Sequence, residues 1–115
     1  MATLKGIYTP VAAAADDSTY TEIGRIRASA TSAKGKIAEI IVSNEGTTDV
    51  NYTIKLNRQN PNENESGSVQ ISPKTILAAG DVHVKPMSTF IRGGDTLEIN
   101  ADGAVKTVVS IIELW

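Results

Sequence analysis

The chain has 115 residues, with 11 basic and 13 acidic side chains and a formal net charge of −2. This length suits one domain, and the balance of charge is unlike that of proteins that neutralise many phosphates. Cysteine is absent, which excludes disulfides, thiolate metal sites and cysteine nucleophiles. No apolar run approaches the roughly 18 residues of a membrane span, and no signal segment opens the chain. We therefore expect one domain, 1–115, made in a reducing compartment or at least indifferent to one.

The N-terminal segment combines apolar residues with a link of small ones. Leu4 to Thr9 is a short strand candidate, and Pro10 to Thr19 (PVAAAADDST) is a loop or a short helical turn. An apolar segment ahead of such a link can lie on another subunit. Residues 1–20 are therefore also a candidate N-terminal arm.

A second strand candidate, Thr21 to Ala28, leads into Ser29 to Gly35 (SATSAKG), a flexible hairpin loop. The next segment, Ile37 to Val42 (IAEIIV), is apolar at successive positions, so both faces of the strand would be apolar. A strand of this kind is central in a sheet, covered on both sides or covered by a neighbouring subunit.

The clearest period-two pattern runs through Val50, Tyr52, Ile54 and Leu56, which alternate with polar residues. This alternation predicts a strand with one buried face and one wet face. The following run, Asn57 to Gly67 (NRQNPNENESG), is too hydrophilic to pack into a core. It is a solvated hairpin tip or, as the alternative, a recognition loop.

The C-terminal half continues in strands separated by turn residues. Thr96 to Ala101 alternates, and Val105 to Leu114 is apolar on both faces, which predicts a second central strand. Seven to nine short strands at about ten-residue spacing predict an all-β, antiparallel β-sandwich of Ig-like or jelly-roll type. Shorter strand candidates in this half are Ser68 to Ser72, Val82 to Lys85, and Ser88 to Ile91.

Chemistry-bearing residues are few. His83 is the single histidine, in the alternating stretch DVHVK with Val82 and Val84 on the opposite face, and it is predicted to be a strand-surface or subunit-contact residue. Asp16 and Asp17 are adjacent, so they are better turn or cap residues than a paired acid and base. Asn100 to Gly103 lacks the further ligands of a calcium loop. We predict no catalytic residues, no metal site, no cofactor and no enzymatic activity.

Strands that are apolar on both faces would leave an apolar surface exposed, and such a surface can bind another molecule or another subunit. Apolar residues on both faces of the last strand exceed what a one-layer sheet can hide, and Trp115 either covers the core or docks into a neighbour. We predict a homo-oligomer, a trimer being one arrangement, with neither nucleic acid nor membrane as partner. The predicted interface residues are Leu4, Ile7, Tyr8, Ile111 and Trp115.

Between Lys36 and Leu114 the chain resembles small bacteriophage virion proteins built as β-sandwiches. The resemblance is carried by IAEIIVSNEGTTDVNYTIKL, by the Leu-Ala-Ala-Gly-Asp turn, and by GGDTLEINADGAVKTVVSIIEL. It implies a capsid decoration (cement) protein, made in the host cytoplasm and located in the virion, that contacts itself and the major capsid protein. A tail or fibre accessory or adaptor protein is one alternative. The other is a glycan-binding module that uses the 57–67 loop.

Overall fold

The computed structural model describes residues 2–26, 34–60 and 65–114, and the regular structure in these ranges is entirely β-strand. The Val105 to Leu114 strand is found with the predicted bounds, whereas Val82 to Lys85 and Ser88 to Ile91 are one strand that continues through Pro86. In chain order the strands are β1 (Ala2–Val11), β2 (Thr21–Gly24), β3 (Lys34–Ser43), β4 (Val50–Asn60), β5 (Glu65–Leu77), β6 (Val82–Arg92), β7 (Thr96–Ala101) and β8 (Val105–Leu114).

The strands form two four-stranded antiparallel sheets. Sheet A has the order β1-β8-β3-β6 and sheet B has the order β2-β7-β4-β5. The first strand thus pairs with the last, the second with the seventh, the third with the sixth and the fourth with the fifth. This nested pairing is that of a double-sheet jelly roll, so the predicted antiparallel sandwich is confirmed and its topology is the jelly-roll alternative.

The core lies between the sheets and follows the period-two patterns of the sequence. Val50, Tyr52, Ile54 and Leu56 of β4 are all buried, as their alternation predicted, because they line the inner face of sheet B. The central strands of sheet A are β3 and β8, the two that are apolar on both faces. Their inner faces contribute buried side chains such as Ile37, Ile40, Val109 and Ile111.

Polar side chains that are themselves buried hold the connections at the ends of the strands. The side-chain amide of Asn44 donates to the backbone oxygens of Thr48 (2.8 Å) and Leu77 (3.1 Å). The amide of Asn100 donates to the oxygens of Asp16 and Thr19, both at 2.8 Å, and thereby ties the small-residue link to sheet B. These bonds satisfy backbone acceptors that the sheets leave without strand partners.

An ion pair fixes the turn between β6 and β7. The Arg58 guanidinium donates through Nη2 to Oδ2 of Asp95 at 2.8 Å and through Nε to Oδ1 at 3.0 Å. Asp95 also accepts the backbone N–H of Arg92 at 2.9 Å, and Gly94 has a φ of 91°, a left-handed conformation that favours glycine. The carboxylate is thus charge-compensated although it is buried.

The four outer strands of the two sheets each carry a feature that opposes pairing with a further strand. β2 has only 4 residues, and β5 and β6 contain Pro73 and Pro86, which lack an N–H donor. β1 is regular, but its Lys5 lies on the inner side, where Nζ is 3.2 Å from Oε1 of Glu113. Short strands, prolines and inward charges are recognised barriers to edge-to-edge association.

Two expected segments have a different form. The N-terminal segment, given above as a strand candidate and as a candidate arm, contains β1, which pairs with β8 in continuous register from Ala2 to Val11 at the edge of sheet A. The polar run 57–67 is not a loop throughout, because the β4–β5 ladder continues to Asn60 opposite Glu65. Backbone pairing needs no apolar side chains, so a hydrophilic stretch can extend a hairpin. Most of the predicted loop Ser29 to Gly35 lies outside the described residues.

Candidate interaction surface

The outward face of sheet A, called here face A, is rich in exposed apolar side chains. In an antiparallel sheet, residues directly opposite each other point to the same side, so the register defines rows across the sheet. Tyr8, Val108, Ile41 and Val84 form one such row across β1, β8, β3 and β6. Every member is aliphatic or aromatic, and the two end members are 58 % (Tyr8) and 54 % (Val84) exposed.

A second row, in which three of four members are apolar, lies two rows away along the strands. Leu4, Ile112, Lys36 and Phe90 are opposite one another in the same strand order. Leu4 and Phe90 are 72 % and 70 % exposed, which is unusual for large apolar side chains on a free surface. Face A therefore carries exposed apolar side chains on both of its edge strands, and Lys36 is the charged member of this second row.

Between the two apolar rows lies a row of smaller residues. It consists of Gly6, Ser110, Glu39 and Pro86. A Cβ atom added to Gly6 would have no other atom within 4 Å, so this point of the surface is open. Face A thus has a corrugated relief in which a shallow central row is flanked by rows of large side chains.

The far end of face A adjoins an apolar pocket of about 410 Å³ where β1 and β3 end and β8 begins. Pro10, Lys106 and Ser43 are opposite one another in the last row and also line the pocket. Nζ of Lys106 lies 2.6 Å from Oε1 of Glu45 at the pocket rim, and this pair raises the pKa of Lys106. Both partners are exposed to solvent, so the ion pair adds little stability.

The outward face of sheet B is polar, in contrast to face A. Glu22, Glu98, Lys55 and Gln70 form a row across its four strands. Asn57 lies between Thr96 and Ser68 in a neighbouring row, and the exposed Ile76 is confined to the β5 edge. A sandwich with both outer sides solvated would be polar on both, so face A is the side adapted to contact another molecule.

The predicted interface residues divide between the two sides of sheet A. Leu4 and Tyr8 lie on face A and are exposed. Ile7 points inward and packs against the core, and Ile111 is 0 % exposed in the core, so neither presents its side chain on face A. The reason is the period of the strand, which sends odd-numbered residues of β8 inward and even-numbered ones outward. Trp115 lies outside the described residues.

Sequence reasoning did not single out several residues of face A: Ile41, Val84, Phe90, Val108 and Ile112. The signal for β3 and β8 was present, because their apolar character on both faces required one face to point away from the core. For β6 the residue types were misleading. Val82 and Val84 are exposed, while His83 and Lys85 are on the inner side, the opposite of what hydrophobicity favours.

His83 faces the interior of the sandwich and not its surface, so the expected surface or subunit-contact role does not apply. Its Nδ1 lies 2.7 Å from the hydroxyl of Tyr52, which belongs to the other sheet. Burial raises the pKa of Tyr52 to about 12, so the phenol is protonated and can donate to the imidazole. Asp81, the nearest acid in sequence, accepts the backbone N–H of Val82 at 2.8 Å instead.

The other candidate acids have structural partners. Asp16 accepts hydrogen bonds from the Ser18 hydroxyl (2.7 Å) and backbone N–H (2.9 Å), which lower its pKa. Asp102 accepts the backbone N–H of Asn51 at 2.8 Å, and hydrogen bonds from Asn51 lower its pKa as well. These contacts make them turn residues.

In the described ranges, no group of three or more histidine, aspartate or glutamate residues is arranged to hold a metal ion. The same ranges contain no helix with the length and apolarity of a membrane span.

Comparison with known proteins extends the description of the fold. A chain in the structure of the Gx strain of infectious bursal disease virus aligns with 99 % of this chain at a TM-score of 0.62 and 10 % identity. A chain in the crystal structure of the T13 viral particle of the same virus aligns with 97 % at a TM-score of 0.55 and 8 % identity. No protein-family model and no curated protein matches the chain.

The alignments cover 33 % and 35 % of those viral chains, so this chain spans about a third of their length. At 8–10 % identity the likeness shows a shared fold alone. The resemblance to a virion β-sandwich thus has a counterpart among solved structures, although that counterpart is not from a bacteriophage.

Proposed function

We propose that the chain is a structural protein of a virus particle that works through contacts and not through catalysis. The observation that carries this proposal is a jelly-roll sandwich of which one outer face is apolar across all four strands while the other is polar. Jelly rolls recur in viral capsids, and a broad apolar face suits subunits that are buried against neighbours. The shared fold with a chain of a viral particle supports the same role.

Within that role, we propose a bacteriophage capsid decoration protein located in the virion and made in the host cytoplasm. Its partners would be further copies of itself and the major capsid protein. The support is the small single sandwich together with the sequence resemblance of Lys36 to Leu114. Many copies on a symmetric shell attach strongly even when each contact is modest, because binding at one site raises the effective concentration at the next. A tail or fibre accessory protein is the alternative within the same class.

The test compares purified particles made with the gene intact, deleted, and restored on a plasmid. We expect mass spectrometry to detect the chain in intact and restored particles, and electron cryomicroscopy to show density on the shell that deletion removes. Deleted particles should release their genome at a lower temperature. Density confined to the tail would select the accessory role. Absence of the chain from purified intact particles would contradict the structural role itself.

A second candidate function, glycan binding, is favoured by the length of the β4–β5 hairpin. β7 pairs with β4 only as far as Asn57, whereas β5 pairs with it to Asn60, so the end of the hairpin projects beyond sheet B. Asparagine side chains there can donate to and accept from sugar hydroxyls, and lectin domains also use jelly rolls. Replacing residues 59–66 by Asn-Gly should abolish binding on a glycan array if this function is correct and leave the mass in solution unchanged.

A further inference from the structure

We propose that face A is the contact surface between two copies of this chain, which pack face to face about a two-fold axis. The axis lies between the sheets, runs across the strands, and passes between the row of Lys36 and the row of Glu39. The proposal rests on the virion role in one respect, since it names the surface through which such a subunit would contact its own copy. The pair can nevertheless be tested on the purified chain, without any other virion protein.

The area of face A matches the requirement of a stable pair. The rotation overlaps four of the five outward rows, so four strands at a spacing of about 4.8 Å and eight residues at about 3.4 Å each give a projected contact area of roughly 520 Å². Side-chain relief adds to the accessible area, which brings it near the ~800 Å² per partner of a standard interface. Aligned packing of two sheets is itself a common arrangement, so no change of fold is needed.

The relief of face A is self-complementary about this axis. The two-fold rotation sets each strand against its own copy and exchanges the two rows next to the axis. The row of Lys36 in one copy then lies over the row of Glu39 in the second copy. The facing pairs are Leu4 with Gly6, Ile112 with Ser110, and Phe90 with Pro86. In the two rows beside the axis, large side chains lie against small ones, which favours interior-like packing at the centre of the interface.

The charges of face A are complementary under the same rotation. Lys36 and Glu39 lie on β3, one in each of the exchanged rows. Lys36 of one copy therefore faces Glu39 of the second, and Glu39 faces Lys36, so that two ion pairs form beside the axis. A register shifted along the strands would separate Lys36 from Glu39 and leave both charges without a facing partner, which is costly for a buried charge. The rotation also sets Lys34 and Arg92 opposite Ile41 and Val84, at the ends of β3 and β6, where their long side chains can extend toward solvent.

The first measurement is the mass of the purified chain by light scattering or sedimentation across 1–100 μM, with the range set around typical interface affinities. We expect twice the 12.2 kDa of one chain. Phe90→Glu and Leu4→Glu should give the single-chain mass with an unchanged far-ultraviolet spectrum, because both side chains are exposed in the single sandwich. Ile76→Glu is the matched control, because Ile76 is an exposed apolar residue on the outward face of sheet B, and it should keep the doubled mass.

The second measurement tests the axis by exchanging charges. Lys36→Glu alone makes two acidic side chains face each other at positions 36 and 39, and the two-fold axis repeats this repulsive pair. Glu39→Lys alone likewise gives two repulsive pairs of basic side chains. We expect each to raise the dissociation constant at least about tenfold. The double variant Lys36→Glu with Glu39→Lys restores opposite charges and should return the dissociation constant to within about threefold of the original.

The outcomes separate this inference from the virion role. A single-chain mass at 100 μM, a trimer, or a doubled mass that Phe90→Glu leaves intact would each overturn the face-to-face pair. Failure of the double variant to recover would overturn the proposed axis. A chain that is single in solution yet is present on particles would show that another virion protein covers face A, which refutes the pair and leaves the virion role standing.

Discussion

The hydroxyl of Tyr52 on β4 and Nδ1 of His83 on β6 lie 2.7 Å apart, a hydrogen bond that links sheet B to sheet A. The Tyr52 ring is 0 % exposed. The bond joins the sheets on the side where the edge strands β5 and β6 face each other. At that side of the core, the two sheets are joined by this hydrogen bond and not by apolar packing alone. The Tyr52 hydroxyl can donate the bond only while it keeps its proton.

This link predicts a loss of stability at high pH. The pKa of Tyr52 is raised to about 12 by burial, whereas an unfolded tyrosine has a pKa of about 10. The folded state therefore retains a proton that the unfolded state releases, so the contribution of Tyr52 is complete below pH 10 and declines as the pH rises toward 12. Two pKa units correspond to about 2–3 kcal/mol.

The measurement is urea unfolding of the original chain and of Tyr52→Phe at several values between pH 8 and pH 12. The original chain should lose about 2–3 kcal/mol relative to Tyr52→Phe over that range. Tyr8→Phe removes a hydroxyl from an exposed ring and should follow the original chain. Parallel curves for the original chain and Tyr52→Phe would contradict the buried phenol.

The two faces of β8 predict opposite effects for adjacent isoleucines. Ile111→Ala leaves a cavity in the core and should lower the free energy of unfolding by about 2–5 kcal/mol. Ile112→Ala removes a side chain from face A and should cost under about 1 kcal/mol in a dilute sample, where the chains are separate. Urea unfolding below the dissociation constant checks both. A larger loss for Ile112→Ala would reverse the assigned faces.

The ion pairs predict a contrast between buried and exposed charges. Asp95 is 1 % exposed, and it accepts from Arg58 and from the Arg92 backbone. Asp95→Ala removes these acceptors and should cost about 2–4 kcal/mol, since the buried ion pair with Arg58 is lost. The exposed pair of Glu22 and Arg25 is the control, and Glu22→Gln should cost about 0–1 kcal/mol. Equal losses in thermal or urea unfolding would refute the distinction.

Two glycines of sheet A predict a difference in tolerance. A Cβ atom at Gly35 would lie 2.9 Å from the backbone oxygen of Ile112 and 3.0 Å from Cγ2 of Ile26, so Gly35→Ala should cost about 1–3 kcal/mol through overpacking. At Gly6 the same atom would meet nothing within 4 Å in the single chain, so Gly6→Ala should be neutral or slightly stabilising in a dilute sample, where the chains are separate. Melting temperatures of the two variants provide the test, and a stable Gly35→Ala would show that β3 and β8 can move apart.

Much of the sandwich was predictable because its strands obey simple periods. The alternation from Val50 to Leu56 identified the inner face of β4, and the two-faced apolar character of Val105 to Leu114 identified a central strand. Turn residues such as Gly94 separated the strands correctly. These features are local, so the sequence carries them without knowledge of the partner strands.

The nested pairing and the orientation of β6 were not predictable in the same way. Which strands pair is a non-local property, and a one-residue shift of register turns every side chain to the other face. Hydrophobicity alone would bury Val84 and expose His83, yet the register opposite β3 does the reverse. The two separate candidates, Val82 to Lys85 and Ser88 to Ile91, belong to one strand, because the intervening Pro86 is tolerated where the strand lies at an edge.

The prolines of β5 and β6, the brevity of β2 and the inward Lys5 have a joint consequence for assembly. These features oppose the pairing of a further strand with either edge of each sheet. Concentrated copies are therefore hindered from forming open-ended fibrils through backbone hydrogen bonds. Contact through a single broad face instead closes after a fixed number of copies. Protected edges beside one exposed apolar face therefore favour discrete assemblies over aggregates in a concentrated sample.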